Sequence, residues 1–200
     1  MNLSGKLLIA MPGMGDPRFE YSVVFLCAHS EDGAMGLIVN KPAGGLTFDR
    51  LAEQLGIERS DRSREIRVHF GGPVENARGF VLHSGDYAGT GSTLKVDDRF
   101  GMTATVDILE AIAAGRGPAA SLLALGYAGW DAGQLENELA QNSWLTVPAK
   151  AEILFDLPPE ERLPAAMQKL GISFTQLSDV AGHAWAGQLV DGHCPRVRFR

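Results

Sequence analysis

The amino-acid sequence predicts an α/β protein of the α+β type: a single compact domain with a mixed, mostly antiparallel sheet and helices packed on it. Three observations carry this expectation. At 200 residues the chain is long enough for one domain, or at most two small ones. Its 45% hydrophobic and 21% charged residues match an ordinary globular composition. Apolar runs of strand length follow one another across short turns, without the strict strand–helix alternation of a parallel α/β protein. The 24 glycines agree, because a chain so rich in turn residues is built from many short elements.

The elements follow in order. Leu7–Met11 is a short apolar run ended by Pro12-Gly13 and reads as a buried strand. Tyr21–His29 and Met35–Asn40 flank a turn at Glu31-Asp32-Gly33-Ala34 and read as a hairpin. Thr47 is placed as an N-cap, Phe48, Leu51, Ala52 and Leu55 recur at helical spacing, and Gly56 ends that helix. The charged stretch Glu58–Glu65 reads as a solvated loop. Ile66–Phe70 and Gly79–His83 read as strands able to pair as a hairpin around Pro73–Asn76. Two further short strands are expected at Thr93–Val96 and Met102–Thr105, a helix over Val106–Ala114, and a strand over Ser121–Tyr127.

Trp130-Asp131-Ala132-Gly133-Gln134-Leu135 carries a helix start: Asp131 as cap, Gln134 reaching back to it, Trp130 and Leu135 as a hydrophobic staple. Trp144–Val147 reads as a strand and Lys150–Phe155 as a short helix. Pro158-Pro159-Glu160-Glu161 opens another helix. A proline in a helix interior costs about 3 kcal/mol or more, so Pro164 predicts a kink, or a helix restarting there and ending at Gly171. A last short helix is expected over Phe174–Val180.

Charge and motifs narrow the chemistry. With 18 Lys and Arg against 24 Asp and Glu, the net charge is −6, which argues against a stand-alone nucleic-acid binder. The tail Arg196-Val197-Arg198-Phe199-Arg200 is the one basic cluster. Cys27 lies in an apolar run, Cys194 lies in the tail, and the two make no CxxC pair, which suits a reduced cytoplasmic protein. Lys6 with Leu7–Met11 is too short for a signal-peptide core, and no stretch reaches the roughly 18 apolar residues of a membrane span. Gly13-Met14-Gly15 follows a strand, but Arg18 occupies the third glycine position of a dinucleotide fingerprint and Pro17 interrupts it. The sequence has no P-loop, no GxSxG elbow and no HExxH. His29, His69 and His83 lie on or at the ends of strands, and His183 and His193 follow near the C-terminus, but their spacing does not require a metal. No cofactor and no catalytic residue are expected.

One set of strings carries a resemblance. Gly5-Lys6-Leu7-Leu8-Ile9-Ala10-Met11-Pro12 and Asp16-Pro17-Arg18-Phe19 begin it. Gly33–Pro42, Gly71-Gly72-Pro73-Val74 and Arg78–His83 continue it. Leu125–Trp130, Gln134-Leu135-Glu136, Asn142-Ser143-Trp144-Leu145 and Ala181-Gly182-His183-Ala184 complete it. In these residues the chain resembles the YqgE/AlgH family of bacterial proteins. The resemblance spans residues 5 to 184 and implies a domain over 1–184, with 185–200 as an extension beyond the common pattern. It implies a sheet bent into a pseudo-barrel with helices around it. Some members carry a transcriptional-regulator label, and the resemblance supplies no established activity. Leu163-Pro164 departs from the family's usual Trp-Asp pair.

The candidate site residues are Asp16, His29, Asn40, Lys41, His83 and Gln134, polar residues at strand or helix ends, together with Tyr127 and Trp130. Gly126 and Gly129 flank Tyr127, which suits a close backbone approach. Such residues either rim a pocket or tie loops together by hydrogen bonds, and the sequence leaves both open. The expected function is a non-catalytic regulatory or interaction role with an unknown protein partner, met by Gly-rich loops and exposed aromatics. The alternative is a small-molecule-binding protein or an undiscovered hydrolase using the strand-end residues. Direct DNA binding is a third reading, which the acidic charge disfavours.

Overall fold

Nine strands form one sheet among the residues that the computed structural model describes, 2–89 and 93–172. They are β1 (Lys6–Ala10), β2 (Val23–Ser30), β3 (Gly33–Ile38), β4 (Val68–Phe70), β5 (Val74–Ser84), β6 (Thr93–Lys95), β7 (Phe100–Thr103), β8 (Ser121–Asp131) and β9 (Trp144–Pro148). Four helices accompany them: α1 (Phe48–Gln54), α2 (Val106–Ala113), α3 (Gln134–Ala140) and α4 (Pro159–Gln168). A π-helical turn spans Glu152–Asp156. The strand order is β6-β7-β5-β8-β3-β2-β1-β9, antiparallel throughout, with β4 lying parallel beside β8. The sheet curls into a half-barrel, as expected.

Both faces of this sheet are covered, which is why its strands read as continuous apolar runs rather than alternating ones. Leu7, Ile9, Val23, Phe25, Leu37 and Val39 point to one side, against Ile153 and Leu154 of the π-turn and Leu163, Ala166 and Met167 of α4. Leu8, Ala10, Val24, Leu26 and Ile38 point to the other, against Trp130, Leu135 and Trp144. A third cluster joins α1 and α2 to β4, β5 and β8 through Phe48, Ile66, Val68, Ile108, Ile112 and Leu123. Cys27 is a small buried member of the first cluster, and burial pushes its thiol pKa up.

The β2–β3 hairpin closes through Glu31-Asp32, with Ser30 opposite Gly33. The cap of α1 also follows the sequence: the Thr47 hydroxyl accepts from the Arg50 N–H at 3.3 Å. Thr47→Ala is therefore expected to lower stability by about 1 kcal/mol, read as an earlier urea midpoint at unchanged slope.

Three elements differ from expectation. The hairpin expected between the His69 and His83 strands does not form, because β8 lies between them: Leu123 is opposite Val68 on one side and Val81 on the other. Gly71 and Gly72 carry the chain across β8 instead of turning it back. A β-carbon on Gly72 would stand 2.1 Å from the Tyr127 carbonyl carbon, and one on Gly126 would stand 2.4 Å from the Gly72 oxygen. Both glycines have positive φ, +155° and +71°, so neither place suits a side chain.

The second difference is at α3. Asp131 is the last residue of β8, paired with Gly33, and the cap is Gly133. Ladder pairing claims the Asp131 backbone first, and the helix starts later. Gln134 still reaches back, its Oε1 accepting from the Asp131 N–H at 3.0 Å.

The third is α4: of the two expectations at Pro164, a kink or a restart, the restart does not occur, and one helix spans Pro159–Gln168. Proline removes one N–H, whose acceptor would be the carbonyl of Glu160, an exposed residue in the first turn. Pro164 itself is exposed, while Leu163, Ala166 and Met167 are buried. Core packing outweighs the lost bond.

No helix of the described residues is long and apolar enough to cross a membrane. The helix expected over Phe174–Val180, His183, His193, Cys194 and the arginine-bearing extension 185–200 lie outside the described residues.

Candidate binding pocket

Two tryptophans bracket α3 in the sequence, and the fold brings them together. Trp130 is near the end of β8 and Trp144 begins β9, which places Trp144 opposite Ala10 of β1. Their ring centroids are 5.8 Å apart, edge to face. Phe19, from the segment between β1 and β2, closes the group at 5.7 Å from Trp144 and 6.5 Å from Trp130. The aromatics are not the exposed surface expected from sequence. Trp130 is 7% exposed and Trp144 3%, so their indole N–H groups need partners inside.

Glu138 supplies that partner. Its Oε2 accepts from the Trp130 Nε1–H at 2.9 Å and from the Trp144 Nε1–H at 2.7 Å. Its Oε1 accepts from the Gln134 amide at 2.8 Å, one turn earlier on α3. Gln134 thus links the end of β8 to the carboxylate. Among the described residues Glu138 takes part in no ion pair.

These side chains line a cavity of about 500 Å³, completed by Met14, Asp16, Arg18, Pro73, Val74, Gln141 and Ser143. At its rim Asp16 and Arg18 form a fork, with Arg18 Nε 3.0 Å and Nη2 2.7 Å from the Asp16 carboxylate. The hydrogen bond from Arg18 holds the Asp16 carboxyl below the usual carboxylate range. Lys41 Nζ donates to the Arg18 carbonyl at 2.8 Å, and burial lowers its ammonium pKa. Asn40 accepts from the Val23 N–H and donates to the Tyr21 carbonyl, both at 2.8 Å. Asn40 and Lys41 therefore act as loop ties, fixing the segment that delivers Asp16, Arg18 and Phe19.

The remaining candidates lie elsewhere. Tyr127 sits on the opposite face of β8 and packs edge-on against Phe80 at 5.6 Å. His29 Nδ1 accepts from the Leu3 N–H at 3.2 Å, so its Nε2–H donates to Glu136 at 2.7 Å. His83 is fully buried. Its Nδ1–H donates to the Ser84 carbonyl at 2.8 Å, leaving Nε2 to accept from the Thr103 hydroxyl at 3.0 Å, with Thr93 2.8 Å beyond. Burial depresses its pKa. A hydroxyl on a neutral imidazole has the form of a nucleophile–base couple, but Thr103 is as buried as His83. The pair satisfies polar groups inside the β5–β7 packing. A β-carbon on Gly101 would stand 2.6 Å from His83 Cε1. Gly101→Ala is thus expected to cost about 1–3 kcal/mol in urea unfolding by forcing the imidazole out of place.

His69 was not among the candidate site residues. It is buried, its Nδ1–H donates to the Arg67 carbonyl at 3.2 Å, and its Nε2 faces Arg162 Nη1 at 3.3 Å. Burial, with the Arg162 charge second, pushes its pKa down to about 4. Arg162 is 1% exposed and donates to the carbonyls of Val39 and Leu157. The histidines on strands thus occupy three separate environments rather than one ligand set.

Of the eight candidates, Asp16, Trp130 and Gln134 line the pocket and Asn40 and Lys41 brace it; His29, His83 and Tyr127 do not reach it. Phe19, Trp144 and Glu138 were not singled out as site residues. A sequence sign of Glu138 existed: Gln134 and Glu138 are spaced i, i+4 in a segment bracketed by two tryptophans.

Comparison with known proteins establishes the family and the fold. Residues 7–175 match the family model described as AlgH-like. A UPF0301 protein of Cereibacter sphaeroides is 56% identical over 184 residues, covering 92% of this chain and 100% of its own. One from Ruegeria pomeroyi is 59% identical over 185 residues, with the same coverage. The solution structure of the AlgH protein from Pseudomonas aeruginosa is 48% identical, covering 94% of this chain and 97% of its own, at a TM-score of 0.75. A crystal structure from Corynebacterium diphtheriae, 20% identical, covers 83% of this chain and 86% of its own at a TM-score of 0.66, and shares the fold. The chain belongs to the AlgH-like family of UPF0301 proteins.

Proposed function

We propose that the chain is a non-catalytic binding protein whose aromatic pocket receives a segment of a protein partner, through which it exerts a regulatory role. The observation that carries this reading is the pocket itself. Two buried indoles and Phe19 form part of the wall of a cavity of about 500 Å³, where the Glu138 carboxylate is fixed as an acceptor. Pockets with aromatic walls are where the anchor residues of binding interfaces insert. Among the described residues the lining holds no histidine, cysteine or lysine, and its two carboxylates, Asp16 and Glu138, are each held by donors of the chain itself. These features support binding over catalysis.

The test is quantitative co-purification from the host with the wild-type chain and a Val74→Arg variant. Val74 is exposed at 37% and lines the cavity, so the substitution obstructs it without entering the core. A protein retained by the wild type and reduced at least tenfold on the variant is expected. Identical protein sets on both would overturn the reading.

The cavity volume favours a second reading, since ligand pockets span roughly 300–1,000 Å³. A small-molecule occupant would appear in native mass spectrometry as an adduct lost on denaturation.

A further inference from the structure

We infer that the pocket recognises a primary ammonium group, the side chain of a lysine presented by the partner. The inference rests on the reading of the pocket as a partner-binding site and names the chemistry that fills it.

The Glu138 carboxylate is the starting point. A carboxylate offers about four acceptor positions, two on each oxygen. Oε2 takes both indole N–H groups and Oε1 takes the Gln134 amide, so one position on Oε1 remains. Three donors hold the group in place, yet no cation among the described residues pairs with it. The nearby charges are spent: Arg18 on Asp16, and Lys41 on the Arg18 carbonyl. A negative charge fixed in an aromatic hollow, with one acceptor site open, is complementary to a cation carrying N–H donors.

The open geometry selects the kind of cation. A guanidinium binds a carboxylate best with two parallel N–H bonds to both oxygens, and Oε2 has no place for the second. An ammonium is a compact charge that needs one acceptor there and turns its other N–H groups to neighbours such as Ser143 and Gln141, which line the same cavity. Of the three aromatics Phe19 is the half-buried one, and it gives the site aromatic surface of the kind that attracts a cation. Met14, Pro73 and Val74 give apolar wall for the methylene stem that a lysine buries behind its charged head. An anionic group would meet the fixed carboxylate, and the chain as a whole carries a net charge of −6.

The experiment is an NMR titration of the full chain, following the indole N–H signals of Trp130 and Trp144. The probes are Nα-acetyl-lysinamide, its uncharged analogue Nα-acetyl-norleucinamide, Nα-acetyl-argininamide and the free diamine putrescine. The lysine probe is expected to shift both signals saturably, at least tenfold more tightly than the norleucine or arginine probe and more tightly than putrescine. Glu138→Gln is expected to weaken it at least tenfold. The glutamine oxygen still accepts both indole N–H groups, so the folded spectrum is kept as a control. Equal binding of norleucinamide, equal binding to Glu138→Gln, or no shift with any probe overturns the ammonium assignment. Tighter binding of argininamide overturns ammonium in favour of guanidinium. Tighter binding of putrescine overturns the lysine source in favour of a free amine. Loss of a co-purified protein on Val74→Arg while the lysine probe is inert would overturn this inference and leave the partner reading standing. The reverse pattern would overturn the partner reading and with it the partner's lysine as the source, leaving the ammonium chemistry of the pocket standing.

Discussion

Glu138→Ala is expected to lower the unfolding free energy by about 2–5 kcal/mol, and Glu138→Gln by less than about 1.5 kcal/mol. The difference follows from what each substitution leaves behind. Alanine strands two N–H groups, those of Trp130 and Trp144, in rings that are 7% and 3% exposed. A buried donor without an acceptor costs about 1–3 kcal/mol. Glutamine keeps an oxygen in the same place, loses the charge, and requires the Gln134 amide to turn its oxygen toward it, which takes that oxygen from the exposed Asp131 N–H. With total stability typically about 5–15 kcal/mol, the alanine change is a large fraction of the whole. Urea unfolding of the three proteins checks it. Equal destabilisation by alanine and glutamine would mean that the charge, not the pair of hydrogen bonds, holds the pocket.

Stability is expected to fall by about 3 kcal/mol as pH drops from about 6.5 to about 4, with His69 as the main source. In the folded chain its pKa is about 4, against an ordinary 6.5. A base with a depressed folded pKa favours the folded state while it is neutral in both states, so this stability is complete above pH 6.5. Below that the unfolded chain takes up a proton that the folded chain refuses, and the advantage is gone once pH reaches the folded value. The refusal has a structural cause. Nδ1 already donates to the Arg67 carbonyl, so an added proton goes to Nε2, which faces the buried Arg162 guanidinium. His83 contributes with the same sign, its pKa also lowered by burial. Asp16 and Asp86, lowered from 3.8, lose their contributions in a more acidic window. Urea midpoints between pH 7.5 and 4 are expected to slope steeply for the wild type and less for His69→Gln, whose amide oxygen still accepts from Arg162. Parallel slopes would place the titrating group elsewhere.

The fold was largely legible because its strands are buried on both faces. Leu7–Ala10, Val23–Cys27 and Leu37–Val39 announce themselves as unbroken apolar runs, and Asp32-Gly33 marks the hairpin between two of them. Thr47 and Gly56 marked α1 equally well. The errors arose where distant segments decide local structure. Ile66–Phe70 and Gly79–His83 look like hairpin partners, but β8 comes between them from forty residues further on. Asp131 has the chemistry of a cap, yet Gly33 claims its backbone. Pro164 allowed a kink or a restart, and the restart is absent because the buried side chains around it hold one helix together. The same logic divides the site. Trp130 and Gln134 stand beside a visible helix start and could be named. Phe19, Trp144 and Glu138 come from three segments whose meeting depends on sheet order, and no local pattern reports it. Arg162 and His69 are 93 residues apart and meet only in the core.

A pocket organised by one carboxylate predicts a joint behaviour of two indoles, which NMR reads directly. The measurement is the indole N–H chemical shift and hydrogen exchange of Trp130 and Trp144 in the wild type and in Glu138→Gln and Glu138→Ala. In the wild type both signals should be protected from exchange. In Glu138→Gln both should move and remain protected, and in Glu138→Ala both should move together and lose protection. Independent behaviour of the two signals, or protection unchanged in Glu138→Ala, would contradict a pocket built on Glu138.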